Sequence, residues 1–249
     1  MPVLAVIPAR LGSTRIPHKP LQLLAGEPLV VRVARRVRDM GLADKVVVAT
    51  DAAEVVKAAQ HEFEVVLTSS GHRSGTDRVA EVATLSEYAK FDVVVNVQGD
   101  EPFLPRAALA GAVERVRGGD DVGTAAAPLG LAELADPARV KVVCDLAGRA
   151  LYFSRAVIPH RRDDGATPAG VYWQHLGLYA FQRPALARWS RLAPTPLEEA
   201  ERLEQLRALQ HGFTIGVALL TEPAPAGIDT PDDLRQAERY WHSPERERS

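Results

Sequence analysis

The chain has 249 residues, of which 46% are apolar and 25% charged, with a formal net charge of −2. That length suits one large α/β domain or a domain carrying a small lobe. The near-neutral charge provides no basic field for nucleic acid and no polybasic segment for a membrane surface. The single cysteine, Cys144, excludes an internal disulfide and a Cys-rich metal cluster, and between Val143 and Asp145 it reads as a packing residue. No apolar run is long enough to span a bilayer, and the N-terminus enters a strand-like run without a charged leader, so a cytoplasmic protein is expected.

In chain order, Val3–Ile7, Lys45–Thr50, Glu64–Thr68 and Asp92–Gln98 are near-continuous β-branched runs. Such runs are expected of a parallel sheet covered on both faces. Between them the spacing predicts helices over Leu29–Met40, Ala53–His61, Asp77–Tyr88 and Pro105–Arg117. Strand-then-helix repetition implies right-handed crossovers and a doubly wound, mostly parallel α/β sheet, whose ligands bind beyond the carboxyl ends of the strands. Further on, Lys141–Val143 and Ala150–Ser154 flank the turn Asp145–Gly148, and Pro159–Gly170 reads as a long polar loop. A strand is expected over Gln174–Phe181, a helix over Pro196–Gln210 closed near Gly212, and a last strand over Thr214–Leu220. Thr230 and Pro231 then cap a helix over Asp232–Tyr240. The expectation is a single domain, 1–249, with a smaller lobe over roughly 130–212.

Four constellations carry chemistry. At the exit of the first strand, Arg10, Arg15 and Lys19 fall within ten residues of one another beside Ala9, Gly12, Ser13 and Thr14. Small residues let backbone N–H groups approach an anion, and the cations neutralise it, as a nucleotide triphosphate requires. Neither a Walker A loop nor a Gly-x-Gly-x-x-Gly turn is present, which removes support for a P-loop NTPase or a dinucleotide-dependent oxidoreductase. Arg73, Ser74, Gly75 and Arg78 open the third helix, where Ser74 serves as a cap and the exposed N–H groups suit a base or ribose. The strand ending in Val97-Gln98-Gly99-Asp100-Glu101-Pro102 presents Asp100 where a hard divalent cation takes carboxylate oxygens together with phosphates and water. Asp229 is the natural second carboxylate; Asp51 reads as a turn or ribose contact. In the second half His175, Gly177 and Tyr179 share one strand face, and Glu204 and Gln205 flank an apolar helical stripe. The pattern fits packing residues or a polyol pocket.

Taken together, these segments resemble the 3-deoxy-manno-octulosonate cytidylyltransferases. The matching stretches are Ile7–Arg10 with Ser13–Arg15 and Lys19–Leu21, Ser74–Arg78, Val95–Pro102, Lys141–Val143, Tyr152–Arg155, His175–Tyr179, Leu203–Arg207 and Gly227–Pro231. They run in order over almost the whole chain. The resemblance implies a nucleotide-diphospho-sugar transferase-like fold with a small lobe for dimerisation and sugar binding, and a homodimer. It implies CTP and Kdo as substrates, Mg2+ as cofactor and a product used in lipopolysaccharide synthesis. It places Arg10, Ser13, Arg15 and Lys19 on the triphosphate, Ser74 and Arg78 near the nucleoside, Asp100 and Asp229 on magnesium, and Gln98, His175, Tyr179, Glu204 and Gln205 facing the sugar acid. One departure is His18, where the family usually has Gly; a larger side chain is expected to stiffen the phosphate loop.

The expected reaction is in-line attack of the anomeric hydroxyl of Kdo on the α-phosphorus of CTP, a transfer governed by positioning and charge stabilisation. No residue declares itself as a general base. The rivals are a cytidylyltransferase for another acidic sugar, such as sialic acid or an amino-substituted Kdo, and a non-catalytic CTP-binding homologue.

Overall fold

The computed structural model describes residues 1–13, 15–162 and 170–243. In chain order the strands are β1 Val3–Ala9, β2 Leu23–Leu24, β3 Glu27–Pro28, β4 Lys45–Thr50, β5 Glu64–Leu67, β6 Val93–Val97, β7 Val122–Pro128, β8 Lys141–Cys144, β9 Ala150–Ser154, β10 Trp173–His175, β11 Leu178–Gln182 and β12 Ile215–Leu219. The helices are α1 Leu29–Asp39, α2 Ala53–Ala59, α3 Gly75–Thr84, α4 Arg106–Arg117, α5 Arg183–Trp189, α6 Pro196–Glu201, α7 Gln205–Gln210 and α8 Pro231–Trp241. Two compact units emerge, one of Met1–Arg106 with Pro225–Ser249, the other Ala107–Ala224. The stretch 130–212 lies inside the second.

The first unit is a parallel sheet in the order β5-β4-β1-β6. β1 is buried at every position, as the unbroken apolar run implied for a strand covered on both faces. α1 and α2 pack on one another and on β4, and α3 lies along β1, β4 and β6. The helix expected over Asp77–Tyr88 stops at Thr84 and gives way to a 3-10 turn, Ser86–Tyr88. Ala25 and Gly26, both at positive φ, close the β2–β3 hairpin.

The second unit is a mixed sheet built on β7, which pairs in parallel with β12 and antiparallel with β10 and β11. β10 continues to β8, and β8 to β9 across the expected turn at Asp145–Gly148. Nothing in the sequence reading foresaw β7, because Gly123, Thr124 and three alanines lack the bulky branched residues that mark a strand. For Gly123 the smallness has a tertiary cause. A Cβ on Gly123 would lie 1.9 Å from the Ala112 carbonyl oxygen of α4, so the helix rests directly on the strand backbone.

Two elements differ from expectation. The strand over Gln174–Phe181 forms as β10 and β11, interrupted where the Leu178 N–H bonds back to the Leu176 carbonyl at 2.8 Å. The helix over Pro196–Gln210 forms as α6 and α7, because Arg202 adopts φ 54°, a left-handed conformation that cannot continue a right-handed helix. The loop Pro159–Gly170 falls partly, at 163–169, outside the described residues, as do Thr14 and the polar tail from 244. Substituting Gly123→Ala forces α4 off β7; a loss of about 1–3 kcal/mol or more is expected, read from the urea midpoint.

Candidate active site

β1 ends at Ala9 and releases the basic loop. Buried Ile16 anchors the middle of this loop, and its N–H donates to Ser13 Oγ at 3.3 Å. His18 then takes φ 50° and ψ 38°, and its carbonyl accepts from the Leu21 N–H at 2.8 Å, closing a 3-10 turn that begins at Lys19. The left-handed geometry is the physical reason glycine suits this position; histidine is among the side chains that tolerate it best.

β6, the neighbour of β1 with Val3 opposite Val93, delivers Gln98, Gly99 and Asp100 beside this loop. A Cβ on Gly99 would stand 3.0 Å from the Pro8 carbonyl oxygen, so a side chain here would crowd the two strand exits. Asp229 arrives from the far end of the sequence. The Ile228 N–H donates to the Asp100 carbonyl at 2.9 Å, and a Cβ on Gly227 would be 3.0 Å from Glu101 Oε1. Thr230 and Asp233 form a reciprocal cap that starts α8, with Asp233 also accepting from the Asp229 N–H at 3.0 Å. α8 is held at its other end by Tyr240 and Trp241 packing on Phe103, by Arg32 over Trp241 at 4.3 Å, and by the Ala25 N–H donating to Glu238 at 2.8 Å.

The Lys19 ammonium joins the two acids. It donates to Asp100, 81 residues away, and to Asp229, 210 residues away, at 2.9 Å for the latter. Arg15 adds a second cation to Asp229 at 3.0 Å. Burial of the ammonium is the largest influence on Lys19 and acts downward, but the two carboxylates together outweigh it and the pKa is raised. Asp229 mirrors this: burial pushes it up, Lys19 and Arg15 pull harder, and it ends below the usual aspartate value. Arg10, Ser13, Arg15, Lys19, Gln98, Asp100 and Asp229 line one cleft of about 350 Å³ with Pro8, Ala9, Gly12, Pro20 and Gly99. Arg10 is exposed there.

Two carboxylates converging on one cation are hard oxygen donors of the kind magnesium takes when phosphates and water complete its shell. Among the described residues no group of three or more His, Cys, Asp or Glu could hold a metal, so an all-protein cage is absent from them. The donor set therefore fits magnesium brought together with a phosphate ligand, with Lys19 standing as the carboxylates' counter-ion.

The residues expected to hold the nucleoside lie at the start of α3. Ser74 Oγ accepts from the Asp77 N–H at 3.1 Å, as a cap should. Gly75 adjoins the cleft, since a Cβ there would be 3.2 Å from Pro8 Cγ and 3.4 Å from Gln98 Oε1. Arg73 is exposed. Arg78 is buried, bonded to Thr68 and paired with Asp51 at 3.3 Å, and does not line the cleft; Asp51 is thereby its counter-ion.

In the second unit the His175 and Tyr179 rings are 5.3 Å apart despite the break between their strands. Burial pushes the His175 imidazole down, to about 3, and raises the Tyr179 phenol well above its usual value. Glu204 accepts from the Trp189 indole N–H at 3.0 Å, and Gln205 is buried at the start of α7.

A family model described as Cytidylyltransferase matches residues 4–215. The 3-deoxy-manno-octulosonate cytidylyltransferase of Gemmatimonas aurantiaca is 57% identical over 245 residues, 97% of this chain and 95% of that protein. The one of Polynucleobacter necessarius is 48% identical over 238 residues, covering 94% and 93%. A solved structure of CMP:2-keto-3-deoxy-manno-octonic acid synthetase complexed with CTP superposes with a TM-score of 0.88 at 34% identity, over 97% of this chain and 98% of that one.

The chain belongs to the 3-deoxy-manno-octulosonate cytidylyltransferase family.

Within this cytidylyltransferase, sequence reasoning assembled the cations and the acids but did not foresee Lys19 between Asp100 and Asp229. No local pattern could show a contact spanning 210 residues. The packing roles of Gly99 and Gly227 also escaped it; glycines flanking acids at element ends were the available signal.

The pH dependence follows from the ion cluster. The depressed Asp229 stabilises fully above the ordinary value near 3.8 and loses this as the pH falls through its lower folded value. Raised Lys19 stabilises fully below 10.5 and loses this as the pH rises through its higher folded value. Urea melts across pH are expected to show a flatter acid limb for Asp229→Asn and a flatter alkaline limb for Lys19→Met. At the left-handed position, His18→Gly is expected to match or exceed wild-type stability, while His18→Val loses about 1–2 kcal/mol in the same assay.

Proposed function

We propose that this chain transfers CMP from CTP to Kdo, forming CMP-Kdo and pyrophosphate for lipopolysaccharide synthesis, and that it does so with magnesium. The observation that carries the reading is the convergence of Lys19, Asp100 and Asp229 in a cleft floored by the basic loop, in a chain 57% identical to a 3-deoxy-manno-octulosonate cytidylyltransferase.

Arg10, Arg15 and Lys19 bind the triphosphate and stabilise the charge that grows on the leaving pyrophosphate. Ser13 offers its hydroxyl to the same group. Arg73, Ser74 and Gly75 hold the nucleoside at the head of α3, and buried Arg78 keeps that helix against Asp51. Asp100 and Asp229 would hold magnesium, which would supply charge neutralisation at the reacting phosphate. Gln98, His175, Tyr179, Glu204 and Gln205 bind the sugar, whose anomeric hydroxyl attacks the α-phosphorus in line with the departing pyrophosphate. As the family resemblance implies, the protein works as a cytoplasmic homodimer through the lobe of its second unit. Among the described residues no helix is long and apolar enough to cross a membrane.

Purified protein with CTP, Kdo and magnesium is expected to release pyrophosphate, and Kdo to be turned over in preference to sialic acid. Asp100→Ala is expected to lower kcat by about 10²–10³-fold. Ordinary turnover by that variant would remove the metal assignment, and tight CTP binding without turnover by wild type would remove the activity.

A further inference from the structure

Thr124 lies at the middle of β7, fully buried, in a stretch that carried no chemical signal in the sequence. Its hydroxyl oxygen makes two contacts. One is with the Leu178 carbonyl oxygen at 2.7 Å, the other with His175 Nε2 at 2.9 Å. A threonine hydroxyl has one hydrogen to give, and a carbonyl oxygen can only accept. The hydrogen therefore points to Leu178, since two oxygens 2.7 Å apart would otherwise meet lone pair to lone pair. The hydroxyl is then an acceptor toward His175, and Nε2 must be the donor.

The remaining ring nitrogen follows by elimination. Burial keeps the imidazole neutral at physiological pH, so with a proton on Nε2 there is none on Nδ1. Among the described residues Nδ1 has no protein partner, and the residue is half-buried. The ring itself has little freedom. Phe153 meets it edge-on at 5.0 Å, Tyr179 lies at 5.3 Å, and the His175 backbone N–H is fixed to the Val140 carbonyl at 2.8 Å.

We propose that Thr124 is a positioning residue that locks His175 in its Nε2–H tautomer, presenting Nδ1 as a hydrogen-bond acceptor for a hydroxyl group of the sugar. The sugar contact rests on the reading of His175 given under Proposed function; the tautomer lock does not. The specificity that follows is chemical. An acceptor nitrogen takes a hydroxyl and turns away a carboxylate or carbonyl oxygen, so at this point the pocket selects polyol over acid. β-branched threonine suits the task because its χ1 is stiff, whereas a longer hydroxyl-bearing side chain would not hold the oxygen between the two partners.

The test is nitrogen-15 NMR of the histidine rings of the whole protein, with the His175 signals assigned by their loss in His175→Gln. Wild type is expected to show a single Nε2–H tautomer. A wild-type ring protonated on Nδ1 overturns the proposal without any variant being needed. Thr124→Val, close in shape but unable to accept, is expected to give a mixed or reversed tautomer and to raise the KM for Kdo about five- to thirtyfold, with the KM for CTP within about twofold. Thr124→Ser is expected to restore both the tautomer and the KM. A merely structural threonine would alter stability and both KM values together and leave the tautomer alone. An unchanged tautomer in Thr124→Val overturns the lock. A changed tautomer with an unchanged KM for Kdo overturns the sugar contact at Nδ1, while cytidylyl transfer by wild type stands or falls separately on pyrophosphate release.

Discussion

Asp100 and Asp229 come from segments far apart in the chain, and bringing their carboxylates together requires something positive between them. Lys19 meets that need in the structure, with Arg15 reinforcing the Asp229 side. The arrangement is far from a surface ion pair, because the ammonium is largely buried and bonded to both acids at once. Its value lies less in net stability than in specifying geometry, since burial costs the charges much of what their attraction returns. The rest of the first unit is organised around permitting this contact. Parallel pairing of β1 with β6 puts the two strand exits side by side, and Gly99 lets them close up. α8, returning after the second unit, is pinned at its far end by aromatic packing and at its near end by the Thr230–Asp233 cap.

On the proposed reading the same cluster would suit a nucleotide and metal together. Triphosphate oxygens would compete with the carboxylates for Lys19, and a divalent cation would compete with Lys19 for the carboxylates. Each ligand would thus compensate the charge exposed by the other. A phosphate-free metal site built from two acids would instead have to displace a cation already hydrogen-bonded to both.

In the second unit, burial dominates over exposed charge. Gly123 lets α4 lie on the strand backbone, and aromatic side chains from β9, β11 and α5 gather around His175 and Tyr179. Several polar groups inside find individual partners. Buried Lys141 donates to the Asp136 and Arg155 carbonyls at 3.0 and 2.6 Å, and Arg207 closes on Glu198 with its Nε at 2.8 Å. A half-buried histidine kept neutral, with one nitrogen committed to Thr124, belongs to this pattern: its chemistry is set by neighbours.

The sequence by itself determined the parallel core, because β-branched runs such as Val93–Val97 bury on both faces wherever they pair. It also determined the inventory of the cleft: three cations after the first strand, and Asp100 after the fourth β-branched run. It did not reveal β7, whose Gly123 owes its choice to the helix packed against it, nor the breaks at Arg202 and between His175 and Leu178. Arg78 looked like a nucleoside contact and is bonded to Asp51 and Thr68. Only the tertiary structure decided which acid meets which cation and which imidazole nitrogen carries the proton. Those are matters of contact between segments distant in the chain, and local periodicity and propensity hold no record of such contacts.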